Sequence, residues 1–254
     1  MGETTAISWT DATFNPWWGC TRVSPGCVNC YAETFDKRVF GADGIHWGPG
    51  KPRRTFGQKH WDGPLKWNNK ARLASVKTKV FCASMADIFD VEAPEGELER
   101  LWNLIRVTDY LVWQLLTKRV EGYEKMPADL LDNPRVWKGF TAEDQERYDE
   151  RWGQMKRWPG VLWCSYEPAL GPLTMYKVWH KPNWIVFGGE SGHHRRPMEE
   201  TWARSLLREC RERNVAYFMK QFGAATPAEG KALIPADLLI HEFPVVERGK
   251  EGTQ

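Results

Sequence analysis

The sequence predicts an α/β protein, a (β/α) barrel of partial or irregular TIM-like form. Six short apolar segments recur along the chain, rich in β-branched and aromatic residues and without polar alternation. Such segments are typical of strands buried on both faces of a parallel sheet. Amphipathic helical patterns separate several of them, and alternation of strand and helix indicates a (β/α) architecture. An open doubly wound sheet also fits this alternation.

The elements follow from local pattern. The predicted strands lie within residues 79–87, 110–119, 135–144, 161–171, 183–192 and 215–223. Helices are predicted within 95–108, 143–157 and 198–214, where apolar residues recur on one side. In the last of these, Met198, Trp202, Leu206 and Cys210 are spaced four apart, which places them on one helical face.

Polar side chains at the ends of the predicted strands favour the barrel over the open sheet. They are Asp87, Lys118, Glu143, Glu167, Glu190 and Lys220. In a barrel the C-terminal ends of the strands meet at one mouth, where active sites are built. Polar loops at strand ends are the structural alternative for these residues.

The chain is interpreted as a single barrel domain over residues 1–254, with an insertion or lid at 40–72. That segment is rich in Gly, Pro, Trp and basic residues and lacks a clear period, and so long a loop usually has a function. Its cations, among them Arg53 and Arg54, are candidates for contact with an anionic substrate. A solvated surface loop is the alternative.

Composition excludes several classes of protein. With 35 basic and 33 acidic residues the net charge is +2, which predicts no strong overall field for nucleic acid. The sequence shows no signal peptide and no apolar run long enough to span a membrane, so we expect a cytoplasmic protein that does not bind membranes. Six cysteines in such a chain favour metal binding or catalysis over disulfides.

Three of the cysteines, Cys20, Cys27 and Cys30, form the motif C-x6-C-x2-C. A structural zinc site needs four protein ligands, and His46 or His60 would have to supply the fourth. A [4Fe–4S] cluster usually takes four thiolates, and three would leave one iron open to another ligand. The other cysteines lie in apolar contexts that predict buried, non-ligating thiols; they are Cys82, Cys164 and Cys210.

Further candidates lie at strand ends. Glu167 precedes a proline that fixes the local backbone, and Lys118 and Lys220 follow other strands; these three are the candidate catalytic residues. Lys220 is expected to pair with a carboxylate such as Glu190 or Glu167 if it is buried. The stretch Gly188, Gly189, Glu190 and Ser191 allows close backbone approach beside a carboxylate, although a tight turn would use the same glycines.

The stretch "NPWWGCTRVSPGCVNCYAE", with "GGESG", "RPM", "KQFG" and "HEFP" downstream, resembles a family of phage and bacterial proteins of unknown function. That family is in turn similar to a divergent branch of the radical SAM superfamily, whose three cysteines follow the first barrel strand. The resemblance implies that Cys20, Cys27 and Cys30 hold a [4Fe–4S] cluster. It also implies that S-adenosylmethionine binds with its amino group at Gly188–Glu190, with Tyr31 and Ser191 nearby.

The sequence therefore predicts an iron–sulfur enzyme of radical SAM type that acts on an unknown substrate. A nucleic acid or nucleotide is the candidate substrate, and a protein partner is also allowed. The first alternative is a zinc- or cluster-bound nucleic-acid-binding module without catalysis. The second is a barrel hydrolase with a structural metal that uses Glu167 and Glu190.

Overall fold

The computed structural model of the chain describes residues 3–41, 44–175 and 180–245. Within these residues seven parallel strands form one sheet, and each strand pairs with the next along the chain. The strands are β1 (Ala12–Thr13), β2 (Thr78–Cys82), β3 (Leu111–Thr117), β4 (Val136–Ala142), β5 (Leu162–Tyr166), β6 (Trp184–Gly188) and β7 (Ala216–Gln221). This singly wound order is that of a partial (β/α) barrel, and the doubly wound alternative is wrong.

Helices occupy the connections between the strands. They are α1 (Tyr31–Phe40), α2 (Gln58–Leu73), α3 (Glu97–Val107), α4 (Ala128–Leu131), α5 (Gln145–Met155), α6 (Glu200–Glu212) and α7 (Pro227–Ala232). Because parallel crossovers share one hand, a sheet wound in one direction places its helices on one face. Strands β2 to β7 and helices α3, α5 and α6 match the segments predicted from the sequence.

The larger apolar core lies between the sheet and these helices. Helix α6 contributes Leu206 and Cys210, which pack with strand residues such as Ile185 and Tyr217. Cys82 and Cys164 belong to the same core and are completely buried. The three cysteines outside the motif are thus packing residues, as their apolar contexts predict.

The opposite face of the sheet curls around a second, tryptophan-rich core. The ring of Trp9 lies 4.5 Å from Phe81 on β2, 5.2 Å from Trp163 on β5 and 5.9 Å from Trp184 on β6, between ring centroids. Two strands separate β2 from β5 in the sheet. One indole can contact both only because the sheet is strongly curved, and it fills the interior at the N-terminal ends of the strands.

The segment 40–72 contains more regular structure than its sequence indicates. Helix α2 begins at Gln58 and runs through Pro64, a residue that normally disfavours a helix interior. Its buried Trp61 packs edge-to-face on Phe14 at 5.1 Å and carries the Arg100 guanidinium on its ring. Tertiary packing therefore stabilises a helix that the local pattern conceals. The prediction of an aperiodic segment is wrong for residues 58–72.

Within the described part of the chain, no helix is both long enough and apolar enough to cross a membrane.

Candidate functional site

The loop that carries the three cysteines lies over the C-terminal ends of the strands. Residues that follow β3, β4 and β6 hold it there. The hydrogen bonds run from Arg119 Nη2 to the Thr21 carbonyl (2.8 Å), from Gly26 N to Glu143 Oε1 (3.3 Å) and from Asn29 Nδ2 to Glu190 Oε2 (2.9 Å). The topology thus brings the motif to the mouth, where the polar strand ends were expected to meet.

Cys20 is half-buried at this mouth. Burial and the nearby Asp87 carboxylate raise the pKa of its thiol to about 12, against the opposing effect of Arg119, whose Nη1 lies 3.7 Å from the sulfur. The preceding Gly19 has φ of +114°, and a Cβ there would lie 2.3 Å from the His46 carbonyl oxygen. Only glycine fits at this close approach, so it fixes the backbone that presents Cys20.

Cys30 stands at the start of α1. Burial raises the pKa of its thiol, while hydrogen bonds from the backbone N–H groups of Glu33 and Ala32 and the charge of Lys118 oppose that rise. These N–H groups are the unpaired donors of the first helical turn, which favour a thiolate. Lys118 is half-buried, and its backbone N–H donates to Asp87 Oδ2 at 2.9 Å.

Cys27 is half-exposed, with the Ser24 hydroxyl 3.9 Å from its sulfur. Within the described residues, no three His, Cys, Asp or Glu side chains meet where they could hold a single metal ion. A zinc ion needs its ligands around one point. A [4Fe–4S] cluster places each thiolate on its own iron, so its sulfurs need not meet at one point. The set of three free thiols on one loop fits the cluster better than zinc.

The two histidines considered as a fourth zinc ligand are engaged elsewhere. His46 Nδ1 lies 2.6 Å from the buried Asp36 Oδ1. His60 stacks between Phe14 and Phe56, and its Nε2 lies 2.9 Å from the Asn15 carbonyl oxygen. Neither side chain joins the cysteines in this structure, which removes the basis for that zinc site.

Arg53 is part of the buried support of the cysteine loop. Its side chain is 1% exposed, and its Nε donates to Asp90 Oδ2 at 2.6 Å while Nη2 donates to Thr21 Oγ1 at 2.7 Å. Arg54 lies over the ring of Trp18 at 4.8 Å. The prediction that Arg53 contacts an external anion is therefore wrong, because its guanidinium is buried and paired with carboxylates of the chain itself.

At the centre of the mouth, Glu167 and Lys220 form an ion pair. Lys220 Nζ lies 2.7 Å from Glu167 Oε1, and the Ser165 hydroxyl donates to Glu167 Oε2 at 3.0 Å. Lys220 therefore pairs with Glu167, one of the two carboxylates suggested from the sequence. Both side chains are partly accessible, so they form a fixed, charged pair that a substrate could reach.

The two glycines before Glu190 are required by close packing. A Cβ on Gly188 would lie 2.8 Å from Glu167 Oε1, and one on Gly189 would lie 2.3 Å from the Gly223 nitrogen. Gly189 also exchanges hydrogen bonds with Gln221, through its N–H and its carbonyl. The pair allows β6 and β7 to approach each other and Glu167, so a structural requirement explains both glycines.

Glu190 is buried and already hydrogen-bonded. Oε1 accepts from Arg196 Nη2 at 2.6 Å, and Oε2 accepts from Asn29 Nδ2, Arg196 N and Arg196 Nε at 2.9, 2.9 and 3.1 Å. Burial alone would raise the pKa of Glu190, but the bonds from Arg196 and Asn29 outweigh it and lower the pKa below its ordinary value. The chain itself thus supplies the charge partner of this carboxylate.

The remaining predicted cofactor residues lie on either side of the mouth. The Tyr31 hydroxyl donates to the Ser84 carbonyl at 2.5 Å, and its ring is half-exposed on α1. Ser191 follows Glu190 and forms a bridge with Ala224. Their contact with a cofactor stays a prediction.

Sequence reasoning did not find the residues that attach the loop, chiefly Asn29 and Arg196. Asn29 lies between two cysteines, and Arg196 lies six positions after Glu190, where no local pattern signals an ion pair. Glu143 was noted only as a strand-end residue. Its carboxylate is buried against Arg151 at 3.0 Å, and this pairing outweighs burial and lowers its pKa.

A family model matches nearly the whole chain. Residues 4–252 match a family model described as protein of unknown function (DUF5131), a description without the phage designation that the motif suggested. No curated protein sequence matches the chain.

Among solved structures, a cysteine-to-serine mutant of spore photoproduct lyase matches with a TM-score of 0.53 and 12% identity, over 89% of this chain and 79% of that one. A double mutant of spore photoproduct lyase with bound AdoMet and dinucleoside spore photoproduct matches with a TM-score of 0.45 and 15% identity, over 83% and 55%. At these identities the likeness shows the partial barrel fold alone.

Proposed function

The chain belongs to the DUF5131 family of proteins of unknown function, and from that premise we propose that it is an iron–sulfur enzyme of the radical SAM type. In this proposal Cys20, Cys27 and Cys30 hold a [4Fe–4S] cluster, and S-adenosylmethionine is the cosubstrate. The substrate is a nucleic acid or nucleotide.

One observation carries the proposal. The three cysteines of the motif lie on one loop at the mouth of a partial barrel, while the other three are buried in the sheet–helix core. Three thiolates leave a fourth cluster position to a small ligand. The shared fold with spore photoproduct lyase, at a TM-score of 0.53, supports this arrangement.

The cluster, when bound, would pass one electron from an external reductant to S-adenosylmethionine, giving methionine and a 5′-deoxyadenosyl radical that would abstract hydrogen from the substrate. The residues of the chain position and bind. Arg119 and Lys118 place positive charge beside Cys20 and Cys30, which opposes the rise in their pKa that burial causes. Gly188, Gly189, Ser191 and Tyr31 form the predicted cofactor-binding side of the mouth.

Glu167 and Lys220 are the proposed substrate-facing pair. Glu167 directly follows β5, and Lys220 lies near the C-terminal end of β7. A fixed carboxylate and ammonium can orient a polar substrate by charge-assisted hydrogen bonds.

A basic loop supports a nucleic-acid substrate. His193, His194 and Arg195 are exposed immediately after the strand that carries Glu190, and the His194 carbonyl accepts a hydrogen bond from Asn29 at 2.8 Å. Exposed cations next to a reaction site are suited to phosphate contacts. Spore photoproduct lyase shares the partial barrel fold, and a structure of that protein holds a dinucleoside spore photoproduct.

The same basic loop favours one alternative function, a cluster-bearing nucleic-acid-binding module without catalysis. Such a module would use the cations at 193–195 and would not need the ion pair between Glu167 and Lys220 at the mouth.

The deciding experiment is anaerobic purification followed by iron and sulfide analysis, then assay of S-adenosylmethionine cleavage with a strong reductant. We expect iron and sulfide in about equal amounts and a reductant-dependent loss of S-adenosylmethionine. Zinc without iron would overturn the cluster. Iron and sulfide with no cleavage, in the presence of tight polynucleotide binding, would favour the binding module.

A further inference from the structure

The cysteine loop is attached to the end of β6 by three hydrogen bonds. Asn29 Nδ2 donates to Glu190 Oε2 at 2.9 Å and to the His194 carbonyl at 2.8 Å, and Arg196 Nη1 donates to the Pro25 carbonyl at 3.0 Å. Pro25 lies two residues before Cys27, and Asn29 lies one residue before Cys30. The attachment therefore flanks Cys27 on both sides and ends one residue before Cys30.

Glu190 is the centre of this attachment. Its side chain is 6% exposed; Oε1 accepts a hydrogen bond from Arg196, and Oε2 accepts hydrogen bonds from both Arg196 and Asn29. Arg196 contacts the loop and the carboxylate at the same time, so the ion pair and the loop contact depend on each other. Charge-assisted bonds of this kind are the stronger hydrogen bonds in proteins.

We infer that Glu190, Arg196 and Asn29 form a latch that sets the position of Cys27 and Cys30 over the mouth. All three are positioning residues, since they act on the thiols through the backbone of residues 25–30. The inference rests on the proposed function only for the nature of the group that the thiols hold. It assigns to Glu190 a partner within the chain, where the motif resemblance implies the ammonium of a cofactor.

Glu190→Gln isolates the latch from simple loss of volume. The glutamine amide has one acceptor oxygen and one donor group, whereas the carboxylate accepts on both sides. In either orientation its NH₂ would face a donor of Asn29 or Arg196. The substitution therefore opposes the attachment without leaving a cavity.

The matched control is Glu167→Gln. It makes the same change at a half-buried carboxylate of the mouth, whose partners are Lys220 and Ser165 rather than the cysteine loop. A general loss of stability would affect both variants, while loss of the latch would affect residues 20–30 in one of them.

The test is hydrogen exchange of the full chain, purified without a cluster, read at peptides covering residues 20–30. Glu190→Gln and Asn29→Ala should each accelerate exchange there by about ten- to hundredfold, the equivalent of one charge-assisted bond. In both latch variants, exchange in β3 and β5 should match the wild type. In Glu167→Gln, exchange throughout residues 20–30 should match the wild type. Unchanged loop exchange in both latch variants would overturn the inference.

Iron loading and S-adenosylmethionine affinity separate this inference from the proposed function. If the latch positions the thiols, Glu190→Gln should also bind less iron and sulfide on reconstitution than Glu167→Gln. Full iron content with weakened S-adenosylmethionine binding would instead assign Glu190 to the cofactor and overturn the latch. If the wild-type chain takes up no iron, while the two latch variants still show faster exchange in residues 20–30, the proposed function is refuted and the latch stands.

Discussion

The Arg119 guanidinium lies 3.7 Å from the Cys20 sulfur and 3.2 Å from the Asp87 carboxylate, so one buried cation joins the cysteine loop to the ends of β2 and β3. Asp90 lies 3.4 Å away on the other side. Arg119→Met should leave two buried carboxylates short of a partner and lower the free energy of unfolding by about 3–5 kcal/mol. Urea unfolding monitored by tryptophan fluorescence measures it.

Arg157→Met is the control for that loss. Arg157 pairs with Glu124 on the surface, where both side chains are more than half exposed, and such pairs contribute below about 1 kcal/mol. Equal destabilisation by the two substitutions would contradict the view that Arg119 compensates a buried acidic cluster.

Removal of a motif cysteine should abolish metal binding, and removal of a core cysteine should not. Cys27→Ala is expected to lose iron and sulfide, because the half-exposed thiol lies on the loop at the mouth. Cys164→Ala should keep its iron and lose only packing, at a cost of about 1 kcal/mol for a small cavity. Metal analysis of matched anaerobic preparations decides this. Iron loss in Cys164→Ala would show that the fourth ligand had been misassigned.

Against the loss of stability that buried thiols of raised pKa such as Cys20 cause at alkaline pH, Lys138 should contribute a rise. Its side chain is completely buried, and burial lowers its pKa from the ordinary 10.5 to about 8. Between these values the unfolded chain binds more protons than the folded one, so stability rises with pH through this window and gains nothing below it. The slope should approach about 1.4 kcal/mol per pH unit.

Urea unfolding at pH 7.5, 9 and 10 measures that slope, with Lys138→Met for comparison. The variant retains an aliphatic side chain of similar length and lacks the titrating group, so the stability of the wild type should rise more, or fall less, than that of the variant over this range. Identical slopes in the two proteins would assign the rise to other groups.

The Glu167–Lys220 pair should show energetic coupling. Lys220→Met leaves the Glu167 carboxylate without its cation and should cost about 1–3 kcal/mol, since a charged group loses its hydrogen-bond partner. Glu167→Gln together with Lys220→Met should cost less than the sum of the single changes. A double-mutant cycle by chemical denaturation measures the coupling, and strict additivity would mean that the pair contributes little.

The basic loop should contribute to polynucleotide binding if the proposed substrate is correct. Arg195→Ser should weaken binding of a single-stranded oligonucleotide and lower the slope of log K against log salt by about 0.7 for a lost phosphate contact. Arg208→Ser, at an exposed position on α6, is the control. Fluorescence anisotropy at several salt concentrations measures both. Equal slopes in the two variants would remove Arg195 from the interface.

The barrel was predictable because each long strand carries its own signal. Segments such as 183–192 and 215–223 are apolar, short and followed by polar residues. These features are visible in neighbouring residues of the sequence and need no knowledge of distant segments. β1 was missed because two residues, Ala12 and Thr13, contain no pattern. Helix α2 was missed because Gly63 and Pro64 oppose it locally, while the contacts of Trp61 that stabilise it come from distant segments.

The candidate site was predictable to the level of residue type and strand end. The three cysteines and Glu167 could be singled out because few local structures need them at these positions. Partners were not predictable, since Arg53 is as basic as any surface arginine until the fold places it beside Asp90. The exposure of a charge is a property of the tertiary structure, and composition does not contain it.

Trp9 and the rings around it have a consequence for traffic through the protein. They fill the interior of the curved sheet at the N-terminal halves of β4, β5 and β6. Under the proposed function, a molecule bound beside the cysteine loop would therefore enter and leave at the C-terminal ends of the strands. A cosubstrate that binds first would then be covered by a polymeric substrate that arrives after it, and this would fix the order of binding and release.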